Sequence, residues 1–284
     1  MIYQMSVKVA VIVLNYRHHQ DTIKCIKTLL RSDLPKGSNV ICVDNSQDDL
    51  SATAISKALP NIHLIKSGKN LGFAGGNNLG IKYALKNGAS HILIINPDVT
   101  ISKLFFGPLL SVFNQEPKTG LVAPAIRHFQ NNKPFYGLEG YIDWHFAIAK
   151  HINLQKLPRK DIRPSEFVTF ACVLIKSDVL QKIGLLDDGF FMYLEDVDYC
   201  LRAGKAGYKI FLNPQVLVSH ETSSSFKKAT DKLPISFKSQ IRFINKWLPF
   251  PKNIIPLVYA LLFYPYLFLL WTYFDFKKQL LKIK

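Results

Sequence analysis

The chain is predicted to be an α/β protein with a doubly wound, mostly parallel sheet, ending in a membrane-associated helical segment. Three observations predict this. Strand-like and helix-like patterns alternate twice at the start of the chain. An apolar, β-branched run from Ile92 to Ile95 is cut off by Asn96-Pro97. Residues 254–274 form a stretch of 21 residues without a charge. The 284 residues leave room for one large domain and an appendage, placed at 1–226 and 227–284, with the first divided near residue 100.

Residues 7–14, VKVAVIVL, read as the first buried strand, and Asn15-Tyr16 ends it before a helix carrying Ile23, Ile26, Leu29 and Leu30. This apolar run is too short for the core of an export signal and contains Lys8. A second unit follows: strand 39–43, then Asp44-Asn45-Ser46, then a polar helix start at Asp48, Asp49 and Ser51. Two βα units in succession imply right-handed crossovers and a parallel sheet. Asp44 stands at the tip of its strand, where a short acceptor can either meet a nucleoside or close an Asx turn on its own backbone.

A third strand, 62–65, leads into SGKNLGFAGGNNLGIKYAL (67–85). Gly72, Gly75 and Gly76 suit a sharp turn or a close approach to a phosphate-bearing ligand, and Asn77-Asn78 is expected to cap the helix with Ile81, Ala84 and Leu85. The stretch lacks the lysine of a P-loop. The next strand ends at Asn96-Pro97, which delivers Asp98 to the carboxyl edge where open α/β sheets bind ligands. An acid there can hold a divalent cation or cap its own turn.

Residues 195–203 read as a helix with Val197, Cys200 and Leu201 facing the core and Gly207 ending it. Glu195, Asp196 and Asp198 crowd its first turn. Acids there meet the helix dipole favourably, which lowers the expected pKa of Asp196 and keeps it ionised. Asp196 points away from the apolar stripe, towards the loop 189–193, whereas Asp198 and Arg202 are spaced for a helix-surface pair. His220 follows a late strand and reads as an exposed histidine or a ligand. The basic, aromatic stretch 127–165 has no clean period. Its Tyr136, Tyr141, Trp144 and His145 suit either stacking on sugars or packing of a long covering loop.

In order and spacing, LNY (14–16), VDNS (43–46), NLGFAGGNN (70–78) and INPD (95–98) resemble the inverting family 2 glycosyltransferases of GT-A fold, in particular the rhamnosyltransferase-like branch. GLLDDGFFMYLEDVDYCLR (184–202), AGYKI (206–210) and VLVSHETSSS (216–225) are similar to the acceptor half of that branch, so the likeness runs from about Val7 to Ser225. Phe170 and Gly204 depart from the branch's pattern, on the acceptor side.

The resemblance implies a Rossmann-like GT-A domain that binds a nucleotide-diphosphate-sugar, dTDP-rhamnose or a UDP-sugar. Asn15, Asp44, Asn45, Gly72, Gly75, Asn77, Asn96 and Asp98 would line the donor site. It implies Asp98 and His220 as ligands of Mg²⁺ or Mn²⁺, and Asp196, paired with Glu195, as catalytic base. Single-displacement glycosyl transfer needs both functions: a base for the acceptor hydroxyl, and positive charge for the departing diphosphate.

Charge and cysteine content fit a protein working at an inner membrane surface. The chain has 36 Lys and Arg against 20 Asp and Glu, a net charge of +16, which calls for an anionic partner. No nucleic-acid-binding motif is present, so nucleic acid is excluded in favour of acidic lipid. Cys25, Cys42, Cys172 and Cys200 show no metal-ligand spacing and read as reduced, structural thiols. The run 254–274 lies between Lys-rich flanks that include Lys227, Lys228, Lys277, Lys278, Lys282 and Lys284. The positive-inside tendency then favours a re-entrant or interfacial hairpin, kinked at Pro265, on the cytoplasmic face over a spanning helix. A lipid-linked saccharide is the expected acceptor.

Two rivals belong to other classes. A sugar nucleotidyltransferase would open with a glycine-rich loop, where this chain has Asn15-Tyr16-Arg17-His18. A non-catalytic carbohydrate-binding membrane adaptor would leave Asp98, Asp196 and His220 far apart.

Overall fold

The computed structural model describes residues 7–130, 133–157, 161–220 and 229–282. β1 (Val9–Asn15) leads to α1 (His19–Leu30), β2 (Asn39–Asp44) to α2 (Leu50–Ala58), β3 (His63–Lys66) to α3 (Gly72–Lys86), and β4 (His91–Ile95) follows. These strands lie parallel in the order β3-β2-β1-β4, because each crossover helix returns the chain to the same end of the sheet. Val9–Val13 and Ile92–Ile95 are buried on both faces, which is why they read as unbroken apolar runs. Ile12, Ile41, Ile92 and Ile94 pack with Ile81 and Ala84 of α3 on one face. Val11, Val13, Leu93 and Ile95 pack with Ile26 and Leu29 of α1, and with α4 (Phe106–Gln115), on the other.

Beyond β4 the sheet is mixed. β10 (Cys172–Lys176) runs antiparallel between β4 and β6 (Thr119–Gln130). β11 (Lys209–His220) is parallel to β6, pairs with β9 (Arg163–Pro164), and closes the edge with β5 (Val99–Thr100). β7 (Lys133–Asp143) and β8 (Ile148–Leu154) continue from β6 as an antiparallel ribbon. The stretch read as an aperiodic covering loop is therefore largely sheet. A register shift between Gly137 and Gly140 and the ribbon's partly solvated faces erase the period-2 pattern.

α5 (Ser177–Ile183) and α6 (Glu195–Lys205) follow β10. Val197 and Cys200 of α6 are buried as expected, whereas Leu201 is only partly so. Asp198 and Arg202 do pair, at 2.9 Å, but Asp198 is completely buried, so this is an interior ion pair and not a surface one. All four cysteines are free and buried.

A 3₁₀ turn (Ala229–Lys232) leads to α7 (Leu233–Trp247), which buries Phe243 and Ile244 in the core, and then α8 (Ile254–Lys282) follows. α8 is one helix through Pro265, which corrects the expectation of a hairpin. An internal proline removes one i→i−4 bond and can bend a helix, but it does not reverse the chain. Ile254–Phe274 is long and apolar enough to cross a membrane, with 11% of its most apolar stretch buried by the rest of the protein. Lys227, Lys228, Lys284 and the 221–225 part of the late motif lie outside the described residues, as do the side chains of Lys277, Lys278 and Lys282.

Candidate active site

The carboxyl ends of β1 and β2 are tied together by short polar side chains. Asn15 Nδ2 donates to Asp44 Oδ1 at 2.8 Å, and Thr22 Oγ1 donates to Asn15 Oδ1 at 2.8 Å. Asp44 Oδ1 also accepts from the Ser46 amide at 3.2 Å, so the Asx turn is present. Asn45 Nδ2 donates to Asn70 Oδ1 and Gly72 O, while its Oδ1 accepts from the Leu71 amide. Asn15, Asp44 and Asn45 are buried, so they form the floor of this edge and fix the loop that enters α3.

That loop differs from the sequence reading. α3 already starts at Gly72, whose φ of 71° favours glycine, and a Cβ there would strike the carbonyl of Phe191. The close approach is thus to another part of the chain. Asn77 and Asn78 lie inside the helix and not at its cap, which is a correction. Asn77 is fully buried with Nδ2 donating to Phe73 O, and Asn78 exchanges hydrogen bonds with the backbone of Leu186. Gly75 sits on the next turn, against Leu71 and Asp188.

Asn96 leaves β4 with its amide donating to Ala171 O at 2.8 Å, and its carbonyl accepts from the Val99 amide. The turn ends in β5, which pairs antiparallel with the last residues of β11 so that His220 stands opposite Val99. This register brings His220 Nε2 to 3.0 Å from Asp98 Oδ1, with both side chains nearly buried. His220 Nδ1 is buried without a hydrogen-bond partner among the described residues. A carboxylate oxygen and an imidazole nitrogen side by side fit part of the coordination shell of Mg²⁺ or Mn²⁺. Among the described residues no cluster of three acids, histidines or cysteines is present.

The other acidic pair begins α6. Tyr193 and Leu194, immediately before it, both adopt left-handed backbone conformations, with φ of 73° and 67°. Such conformations cost about 1–3 kcal/mol each in residues with a Cβ and gather at functional sites. Glu195 is buried, and its Oε2 has no hydrogen-bond partner among the described residues. Burial, reinforced by the Asp196 charge, pushes its carboxyl well above the ordinary glutamate value. Burial also raises Asp196, against the opposing pull of His151 and of the Val197 and Phe170 backbone. The expected lowering of Asp196 by the helix dipole is therefore overturned, because loss of water outweighs the dipole. Two adjacent carboxyls cannot both ionise cheaply, so the pair titrates as a unit with both carboxyls raised.

Two histidines that sequence reasoning missed stand near these pairs. The His128 ring centroid lies 5.2 Å from that of His220. Burial and the neighbouring His220 lower the His128 pKa to about 4, with His151 acting in the same direction, so His128 is neutral at pH 7. His151 in turn acts on Asp196. His128 lies on β6 and His151 on β8, so only the ribbon's pairing brings them to the site, and neither carries a motif signal.

With this geometry in view, the comparisons with known proteins agree on one family. A hexosyltransferase of low-salt glycan biosynthesis, Agl10 of Haloferax volcanii, is 30% identical over 209 residues, covering 71% of this chain and 63% of that protein. This chain thus spans somewhat less than two thirds of that relative's length. An N-acetylglucosaminyl-diphospho-decaprenol L-rhamnosyltransferase of Mycobacterium tuberculosis is 24% identical over 229 residues, covering 72% of this chain and 74% of the relative. Among solved structures, GalNAc-T7 with UDP, GalNAc and Mn²⁺ superposes with a TM-score of 0.63 at 12% identity, over 87% of this chain and 52% of that one. The fold is accordingly of the GT-A type. The model of the family described as glycosyltransferase like family 2 matches residues 7–233, most of the sequence, and the chain belongs to that family.

Proposed function

We propose that the chain transfers a sugar from a nucleotide-diphosphate-sugar to a hydroxyl of a lipid-linked glycan, by metal-assisted single displacement with inversion. The observation that carries this reading is the Asp98–His220 contact at the sheet's carboxyl edge. Asp44 and Asn45 frame the nucleoside end of the donor, over a floor fixed by Asn15. Asp98 and His220 would hold the divalent cation, which when bound supplies the charge that draws off the diphosphate. Asp196 accepts the acceptor's proton, and its raised pKa makes it a stronger base than an ordinary aspartate. Glu195 is coupled to it, because the charge of Asp196 disfavours ionisation of the buried Glu195 carboxyl.

Rhamnose carried by dTDP is the proposed donor, in line with the rhamnosyltransferase relative, and a polyprenyl-diphosphate saccharide is the proposed acceptor. Within the proposed division into a catalytic unit, 1–226, and a membrane-associating segment, 227–284, α7 packs Phe243 and Ile244 into the catalytic unit's core, so the membrane contact is proposed for α8. α8 supports placement at the membrane, and the basic composition supports its anionic, cytoplasmic face.

A panel of nucleotide-sugars tested for transfer to a lipid-linked acceptor in the presence of Mn²⁺ examines this reading. Transfer by the wild type, with donor binding intact and turnover lost in Asp196→Asn, is the expected result. Near-normal turnover in that variant removes the base assignment.

A further inference from the structure

α6 starts from a backbone that does not hold itself. The left-handed Tyr193 and Leu194 are followed at once by Glu195 and Asp196, so any relaxation of the loop re-aims both carboxyls. On its inner side the loop is fastened to α3: the Phe73 amide donates to Phe191 O at 2.6 Å, and Asn78 exchanges hydrogen bonds with Leu186.

The outer side is fastened by α7. Arg242 Nη2 donates to both carboxylate oxygens of Asp187, at 2.7 and 3.0 Å, and its guanidinium fills the space that a Gly189 side chain would need. Lys246 Nζ lies 2.6 Å from Asp187 Oδ2 and 2.7 Å from Asp198 Oδ1, bridging the loop to the helix. Trp247 Nε1 donates to Asp198 Oδ1 at 3.0 Å, and Ser239 Oγ donates to Met192 O at 2.8 Å. Asp198 is completely buried two residues past Asp196, and its charge is met by Arg202, Lys246 and Trp247. Two of those three partners come from α7. Without them a buried carboxylate is left under-partnered, which the first turn of α6 relieves by moving.

We propose that α7 is a clamp that sets the geometry of the Glu195–Asp196 pair, with Arg242, Lys246 and Trp247 as its positioning residues. This rests on the reading of Asp196 as base. Because α8 follows α7 directly, the same clamp joins the catalytic helix to the apolar helix. The clamp's contacts fall on Asp187, Gly189, Met192 and Asp198, around the start of α6, and none falls on the β1–β2 edge among the described residues.

The test is a Lys246→Met/Trp247→Phe variant of the full chain, with Lys246→Arg as the conservative control. Hydrogen exchange across residues 187–198 is expected to rise at least about tenfold in the double variant, with β1 and β2 unchanged and Lys246→Arg like the wild type. In the transfer assay the double variant is expected to lose about tenfold or more in kcat, with KM for the nucleotide-sugar within about twofold. Unchanged exchange across 187–198 overturns the clamp, whatever the activity. Raised exchange with unaltered kcat overturns its catalytic role. A general rise in exchange over β1 and β2 as well shows a stability element and also overturns it. If the wild type transfers no sugar, the failure lies in the proposed function, and the exchange measurement still decides the clamp.

Discussion

His220 Nε2 and Asp98 Oδ1 stand 3.0 Å apart although 122 positions separate them in the sequence, and the two-residue strand β5 is what joins them. Its pairing with the end of β11 places a late histidine beside the acid that closes the donor half.

Asp98→Ala and His220→Ala should each weaken Mn²⁺-dependent binding of a nucleotide-sugar and lower turnover by about 10²–10³-fold, the usual scale for losing one group that stabilises transition-state charge. Calorimetric titration of the donor with and without Mn²⁺ measures this. Equal donor affinity in wild type and Asp98→Ala, with the metal present, would count against the ligand assignment.

With Asp196 as the proposed base, turnover should fall on acidification, because the carboxylate is protonated below its folded pKa. Burial raises that pKa above the ordinary aspartate value, so the acid limb lies at higher pH than for an exposed aspartate. Glu195→Gln removes the coupling within the pair and should leave one acid limb, set by Asp196 alone. Loss of the acid limb in Glu195→Gln would make Glu195 the titrating group.

Much of this was legible beforehand, and the limits have physical causes. β1, β2 and β4 announced themselves because strands covered on both faces are unbroken apolar runs. Asp98, Asp196 and His220 came from motifs, which survive without knowledge of the fold. Asn77-Asn78 misled because a pair of asparagines resembles a cap, whereas Gly72 already starts the helix five residues earlier. The helix dipole acting on Asp196 can be read from its position, but its burial in the folded chain cannot, and burial prevails. His128 and His151 were invisible because a ribbon with solvated faces and a shifted register has no period to read.

Acid should loosen the contact between α7 and the loop before α6. Lys246 and Arg242 hold the Asp187 carboxyl down to about 2, below the ordinary aspartate range. A depressed folded pKa contributes stability that is present above about pH 4 and is lost as pH falls towards 2. Urea unfolding at pH 5 and pH 2.5 should therefore show a larger loss in wild type than in Asp187→Asn. Equal losses would mean that the ion pair contributes nothing to stability.

Removal of residues 254–284 should release the protein from membranes, because Ile254–Phe274 presents a largely uncovered apolar surface. Flotation with vesicles containing anionic lipid separates the outcomes. A truncated chain that still floats would place the membrane contact elsewhere.

The most direct test is the anomeric configuration of the glycoside made from a nucleotide-sugar of known configuration, read by NMR. One displacement, with Asp196 taking the proton and a diphosphate leaving, predicts a product of opposite configuration to the donor, and none from Asp196→Asn. A product that keeps the donor's configuration would contradict the account, because it requires two displacements and a different role for this carboxylate.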